Sequence, residues 1–121
     1  MVAIVELGGK RVLRYGTGDG LIDSERRASD LIGDALGEGI DVVVVPVDLL
    51  PVDFFQLRTG LAGVIAQKLV NYRITLAVLG DITDHLAASN ALRDWVREAN
   101  RSEEVWFLAT DEELAARLAQ R

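Results

Sequence analysis

The sequence contains no cysteine. Disulfides, thiolate metal sites and cysteine nucleophiles are therefore excluded. Proline is scarce at 2 residues, so no stretch reads as a proline-rich linker. The 1 histidine is too few for a transition-metal site built on imidazoles. Aromatics make up only 6% of the chain, which leaves little for stacking nucleic-acid bases. Positive charge is also in deficit: 13 basic residues stand against 19 acidic ones, for a net charge of −6. Binding to a phosphate backbone rests on Lys and Arg, so nucleic acid is not an expected partner. No apolar run approaches the ~20 residues that a membrane-spanning helix requires. The runs at Val42–Val47 and Ile74–Gly80 are far shorter, so a membrane is not an expected partner either. Met1–Leu7 is apolar but short, carries Glu6 and lacks a basic start, so it does not read as a signal peptide. Together these absences point to a soluble, cytoplasmic protein.

What is present is a chain of 121 residues, half of them hydrophobic. That suits one domain with one core, spanning 1–121. Val2–Leu7 and Arg11–Tyr15 read as a β-hairpin around Gly8-Gly9, where two glycines supply the turn's positive φ. Ser24–Leu36 carries an apolar stripe at Ala28, Leu31, Ile32, Ala35 and Leu36, the spacing of an amphipathic helix. Asp23 or Ser24 can cap its start, and Gly37 and Gly39 can end it. Asp41–Val47 holds four consecutive valines without alternation, as in a strand covered on both faces, and Pro46 is expected to end its pairing.

Phe54–Tyr72 follows as one long helical pattern with Phe54, Leu57, Leu61, Val64, Ile65, Leu69 and Tyr72 on one side and Asp53 as cap. Ile74–Leu79 and Val105–Ala109 read as further buried strands. Between them Ser89 caps a helix carrying Leu92, Trp95, Val96 and Ala99, and Thr110 with Glu113 forms a capping box before the last helix. The order ββαβαβαβα predicts an α/β fold: an N-terminal hairpin, then alternating units on a mainly parallel five-stranded sheet.

Several residues are candidates for function. Gly16, Gly18 and Gly20 have the spacing GxGxG, not the dinucleotide GxGxxG, and no Gly-Lys-Ser/Thr follows, so the segment reads as a turn. Trp106 and Phe107 read as core, with Trp106 lining a pocket as the alternative. Asp48, Asp53, Asp81 and Asp84 follow two of the parallel strands, at the carboxyl edge where open α/β sheets bind ligands. With His85 beside them, Asp48, Asp81 and Asp84 form a candidate small-ligand or Mg²⁺ site. Helix capping by Asp53 and Asp84 is the alternative. Gln56, Arg58, Thr59, Gly60, Gly63, Gln67 and Asn71 share the polar side of the long helical pattern, a face that is small and nearly uncharged. Ordinary solvated faces carry long charged side chains. Two glycines there suit close approach of a second backbone, either a partner's or that of the domain's own sheet.

The stretch FFQLRTGLAGVIAQKLVNYRITLAVLGD, with ALRDWVREANR, VWFLA and DEELAARL after it, resembles domain-of-unknown-function family 4180, a group of small bacterial proteins. The resemblance covers roughly 41–118. Relatives often carry an acidic residue where this chain has Val64, so it implies no catalytic carboxylate there and no established activity. More distantly, the run from the valine strand through VDLLPVDFFQL to Arg58-Thr59-Gly60-Leu61-Ala62-Gly63 is similar to the anti-sigma-factor antagonist (STAS) fold. On that match Thr59 falls where those proteins carry their phosphorylated hydroxyl, and Arg58 replaces their Ser. The resemblance implies protein–protein switching without cofactor or catalytic residue. The expectation is thus a STAS-like module that docks a protein partner, or a second copy, through the Thr59 helix. The alternative is a ligand-binding protein or enzyme using the carboxyl-edge aspartates.

Overall fold

The computed structural model describes residues 2–120. Met1 and Arg121, the ends of the expected 1–121 domain, lie outside the described residues. Ala3–Leu7 (β1) and Lys10–Arg14 (β2) pair antiparallel around Gly8 and Gly9, both at positive φ. A Cβ added at Gly8 would lie 2.8 Å from the Ala115 carbonyl oxygen and 2.9 Å from the Leu118 Cβ. The hairpin turn thus presses against the last helix with no room for a side chain.

Val42–Pro46 (β3), Thr75–Leu79 (β4) and Val105–Leu108 (β5) extend the sheet in the order β1-β2-β3-β4-β5, with every pair beyond the hairpin parallel. The valine run is buried on both faces: Val43 and Val45 enter one apolar cluster, Val42 and Val44 the other. Pro46 does not end the pairing, because it stays in register with Leu79 as the last residue of β3.

The helices are Glu25–Ala35 (α1), Val52–Phe55 (α2), Leu61–Asn71 (α3), Thr83–Ala88 (α4), Asn90–Ala99 (α5) and Asp111–Ala119 (α6). A sheet that grows in one direction through right-handed crossovers collects its crossover helices on one face. Residues of α1, α2, α3 and α5 accordingly share the larger cluster. The second face is covered by α6, whose Leu114 and Leu118 join Val12, Val42, Val44, Ala77 and Trp106. Trp106 is fully buried there, so it is core and lines no pocket. Its indole N–H donates to the Ser102 carbonyl at 2.8 Å. Arg117 lies 4.6 Å above its ring and donates to the Asn100 and Ser102 carbonyls at 2.6 and 2.9 Å.

Local capping follows the sequence closely. Ser24, Ser89 and Thr110 accept from the backbone N–H three residues on, at 3.2, 3.1 and 3.2 Å. The long helix expected over 54–72 is instead broken. Gln56 adopts φ −99°, ψ 94°, and Gly60 sits in the left-handed region at φ 79°. These breaks divide it into α2, a single 3₁₀ turn at Leu57–Thr59, and α3. Val64 and Tyr72, expected on its apolar stripe, are outside, 44% and 52% exposed. Leu36, expected on the stripe of the first helix, is instead the extended residue that ends α1 and is 56% exposed. Asp53 caps nothing, since the residue before α2 is Pro51. The short helix α4 was not expected as a separate element.

Candidate functional site

All four parallel strands end at one edge, so the segments after β2, β3, β4 and β5 lie together there. The glycine loop after β2 is a turn. Its Gly16 N–H donates to the Asp19 carboxylate at 2.7 Å, and the Asp19 N–H donates to the Gly16 carbonyl at 3.0 Å. Arg27 of α1 fastens it by donating to the Asp19 and Leu21 carbonyls at 2.9 and 3.0 Å. Of the loop's backbone N–H groups, those of Gly16 and Asp19 are thus used within the loop itself.

The aspartates do not converge. Asp48, Asp53, Asp81 and Asp84 are each exposed, and among the described residues no group of three or more His, Asp or Glu is placed to hold a metal ion. Asp81 accepts from the Thr83 hydroxyl and from the Thr83 N–H, and these bonds hold its carboxyl below the usual carboxylate range. It therefore organises the entry to α4. Asp84 lies inside the first turn of α4 and forms no cap, contrary to the capping alternative. Its neighbour His85 lays its ring flat on Phe55 of α2.

The seven residues expected on one polar helix face are split by the break at Gln56 and Gly60. Gln56 and Arg58 join His85 in a cleft of about 450 Å³ between the α2 segment and the α4–α5 segment. Val52, Phe55 and Leu57 form one wall, and Ala88, Ser89 and Ala91 the other. The structure thus unites two residues of one expected site with one of the other. The wall residues Val52, Phe55, Leu57, Ala88 and Ala91 were missed; the adjacent Phe54-Phe55 pair, too aromatic for one stripe, was the available signal.

Gly60, Gly63, Gln67 and Asn71 stay together on the outer face of α3. Thr59 lies between the two surfaces, in the 3₁₀ turn and not at a helix start. Its hydroxyl donates to the Asp53 carbonyl at 2.7 Å and accepts from the Leu61 N–H at 3.3 Å. It closes the connection between α2 and α3. The α3 face is flanked by the Glu25–Lys68 pair at 3.9 Å on the α1 side and by Trp95 and Glu104 on the other. Gln67 donates to Asn71 at 2.9 Å along it. A Cβ at Gly60 or Gly63 would meet nothing within 4 Å. Neither glycine packs against the domain's own sheet.

The structure defines a small α/β domain with a cleft at the sheet's carboxyl edge and, beside it, an α3 face of Gly60, Gly63, Gln67 and Asn71 bordered by further hollows of about 450 and 370 Å³. The family model of the Domain of unknown function (DUF4180) matches residues 7–118. The chain belongs to that family. No curated protein and no solved structure matches it, so the expected likeness to the anti-sigma-factor antagonist fold is not confirmed. No helix among the described residues is long and apolar enough to cross a membrane.

Proposed function

We propose that this domain is a non-enzymatic docking module that receives a partner protein, or a second copy of itself, on the outer face of α3. Gly63 carries the reading. A glycine inside a helix costs about 1 kcal/mol relative to alanine. Gly60 has an internal reason to be glycine, since its φ is 79°. Gly63 has none: it is helical, exposed and free of any neighbour a side chain would meet. An approaching backbone supplies the missing reason. The surrounding Val64, Gln67 and Asn71 are uncharged and exposed, which suits a surface that is covered part of the time.

The test uses Gly63→Arg. This change improves helix propensity and fills open space, so the variant is expected to be at least as stable as the parent. Light scattering reads self-association, and paired affinity captures with parent and variant read partner binding. Association that is present in the parent and lost in Gly63→Arg supports the reading. Association that survives the change, or its absence from the parent in both measurements, overturns it.

A further inference from the structure

The cleft at the carboxyl edge has a chemistry distinct from the α3 face. Its volume, about 450 Å³, lies in the range of roughly 300–1,000 Å³ typical of small-molecule sites. No Asp or Glu lines it, although acids outnumber bases 19 to 13 in the chain. Four polar side chains border it: Gln56, Arg58, His85 and Ser89. Among the described residues, the Arg58 guanidinium has no ion pair or hydrogen bond, nor do the Gln56 amide or the His85 ring nitrogens hydrogen-bond. Ser89 Oγ accepts from the Leu92 N–H and keeps a proton to donate. Between these groups, the half-buried His85 ring stacks on Phe55, centroids 4.0 Å apart and 10° from parallel. Val52 and Leu57 add aliphatic surface beside them.

We propose that this cleft binds a small organic monocarboxylate with an apolar, flat or branched body. Arg58 presents a planar fork of N–H donors that matches a carboxylate. Val52, Leu57 and Ala91 accommodate the body, and Gln56 and His85 supply further hydrogen bonds. A free phosphate fits less well. It is compact and multiply charged, and here it would meet one cation and mostly apolar walls. The proposal is independent of the docking role assigned to α3.

His85 is the only histidine, so its imidazole resonances report the cleft directly. The full chain is titrated with phenylacetate, benzoate, indoleacetate and isovalerate, with phenylacetamide and inorganic phosphate as controls. At least one carboxylate is expected to shift the His85 resonances saturably, while the amide and phosphate do not. Arg58→Gln is expected to weaken that binding about tenfold or more, the size of a lost charge-assisted hydrogen bond. Arg58 is exposed and unengaged, so this variant is expected to unfold at the parent's midpoint. The proposal is overturned if no carboxylate saturates, if phenylacetamide binds as tightly as phenylacetate, or if Arg58→Gln binds unchanged.

Discussion

The His85 imidazole lies flat on the Phe55 ring, with centroids 4.0 Å apart and planes within 10°. This contact joins α4 to α2, two short helices from segments after different strands. Neither helix is long enough to be stable by itself. Phe55 also meets Phe54 edge-on at 5.2 Å, and Phe54 reaches Trp95 of α5 at 6.2 Å. The wall of the cleft is thus the rim of an aromatic cluster.

His85→Ala is expected to lower stability by about 0.5–1.5 kcal/mol, the worth of an aromatic pair. Phe55 is nearly fully buried, so Phe55→Ala is expected to cost about 3–5 kcal/mol. Urea denaturation of His85→Ala, Phe55→Leu and the double variant measures the stacking energy itself. Additive losses would show that the two rings contribute independently.

The glycines around α3 make opposite predictions. Gly63→Ala is expected to stabilise by about 0.5–1 kcal/mol, because the site is helical and open. Gly60→Ala is expected to destabilise by about 1–2 kcal/mol, because its φ of 79° is unfavourable for a residue with a Cβ. Thermal and chemical midpoints of the two variants check this directly. Gly60→Ala also bears on the cleft, since Gly60 sets the direction in which the Arg58 turn leaves α3.

Tyr15 predicts an alkaline limit. Its side chain is 3% exposed and its hydroxyl donates to the Asp34 carboxylate. Burial, and then the Asp34 bond, push the phenol far above its ordinary range. The folded state therefore favours the neutral phenol. Its contribution is present in full below the unfolded pKa of about 10 and is lost as pH rises through the higher folded value. Stability measured by denaturation at increasing pH should fall above about pH 10 in the parent. Tyr15→Phe removes this part of the fall, and at neutral pH it costs about 1 kcal/mol for the lost hydrogen bond. Equal alkaline slopes in parent and variant would contradict this.

Elements built from local rules were legible in the sequence. The Gly8-Gly9 hairpin, the Ser24 and Ser89 caps and the Val42–Val45 strand depend on neighbours a few residues away. The errors have a common cause. Gln56 is extended and Gly60 left-handed, so the apolar period of 54–72 belongs to two helices with different orientations. Val64 and Tyr72, placed inside by a single continuous period, therefore fall outside. Thr59 moves from a helix start to a turn, where its hydroxyl is consumed by Asp53 and Leu61.

By itself, the absence of cysteine excluded thiol chemistry, and the alternation of strand and helix patterns determined an α/β sheet with a leading hairpin. Those conclusions rest on composition and on periods of two and 3.6 residues, which are local. Only the tertiary structure decided that His85 faces Phe55 and joins Gln56 and Arg58, leaving Asp81 and Asp84 apart. Only it showed that Gly63 meets solvent and not the sheet. Both outcomes depend on how segments after separate strands pack side by side, and no spacing along the chain encodes that.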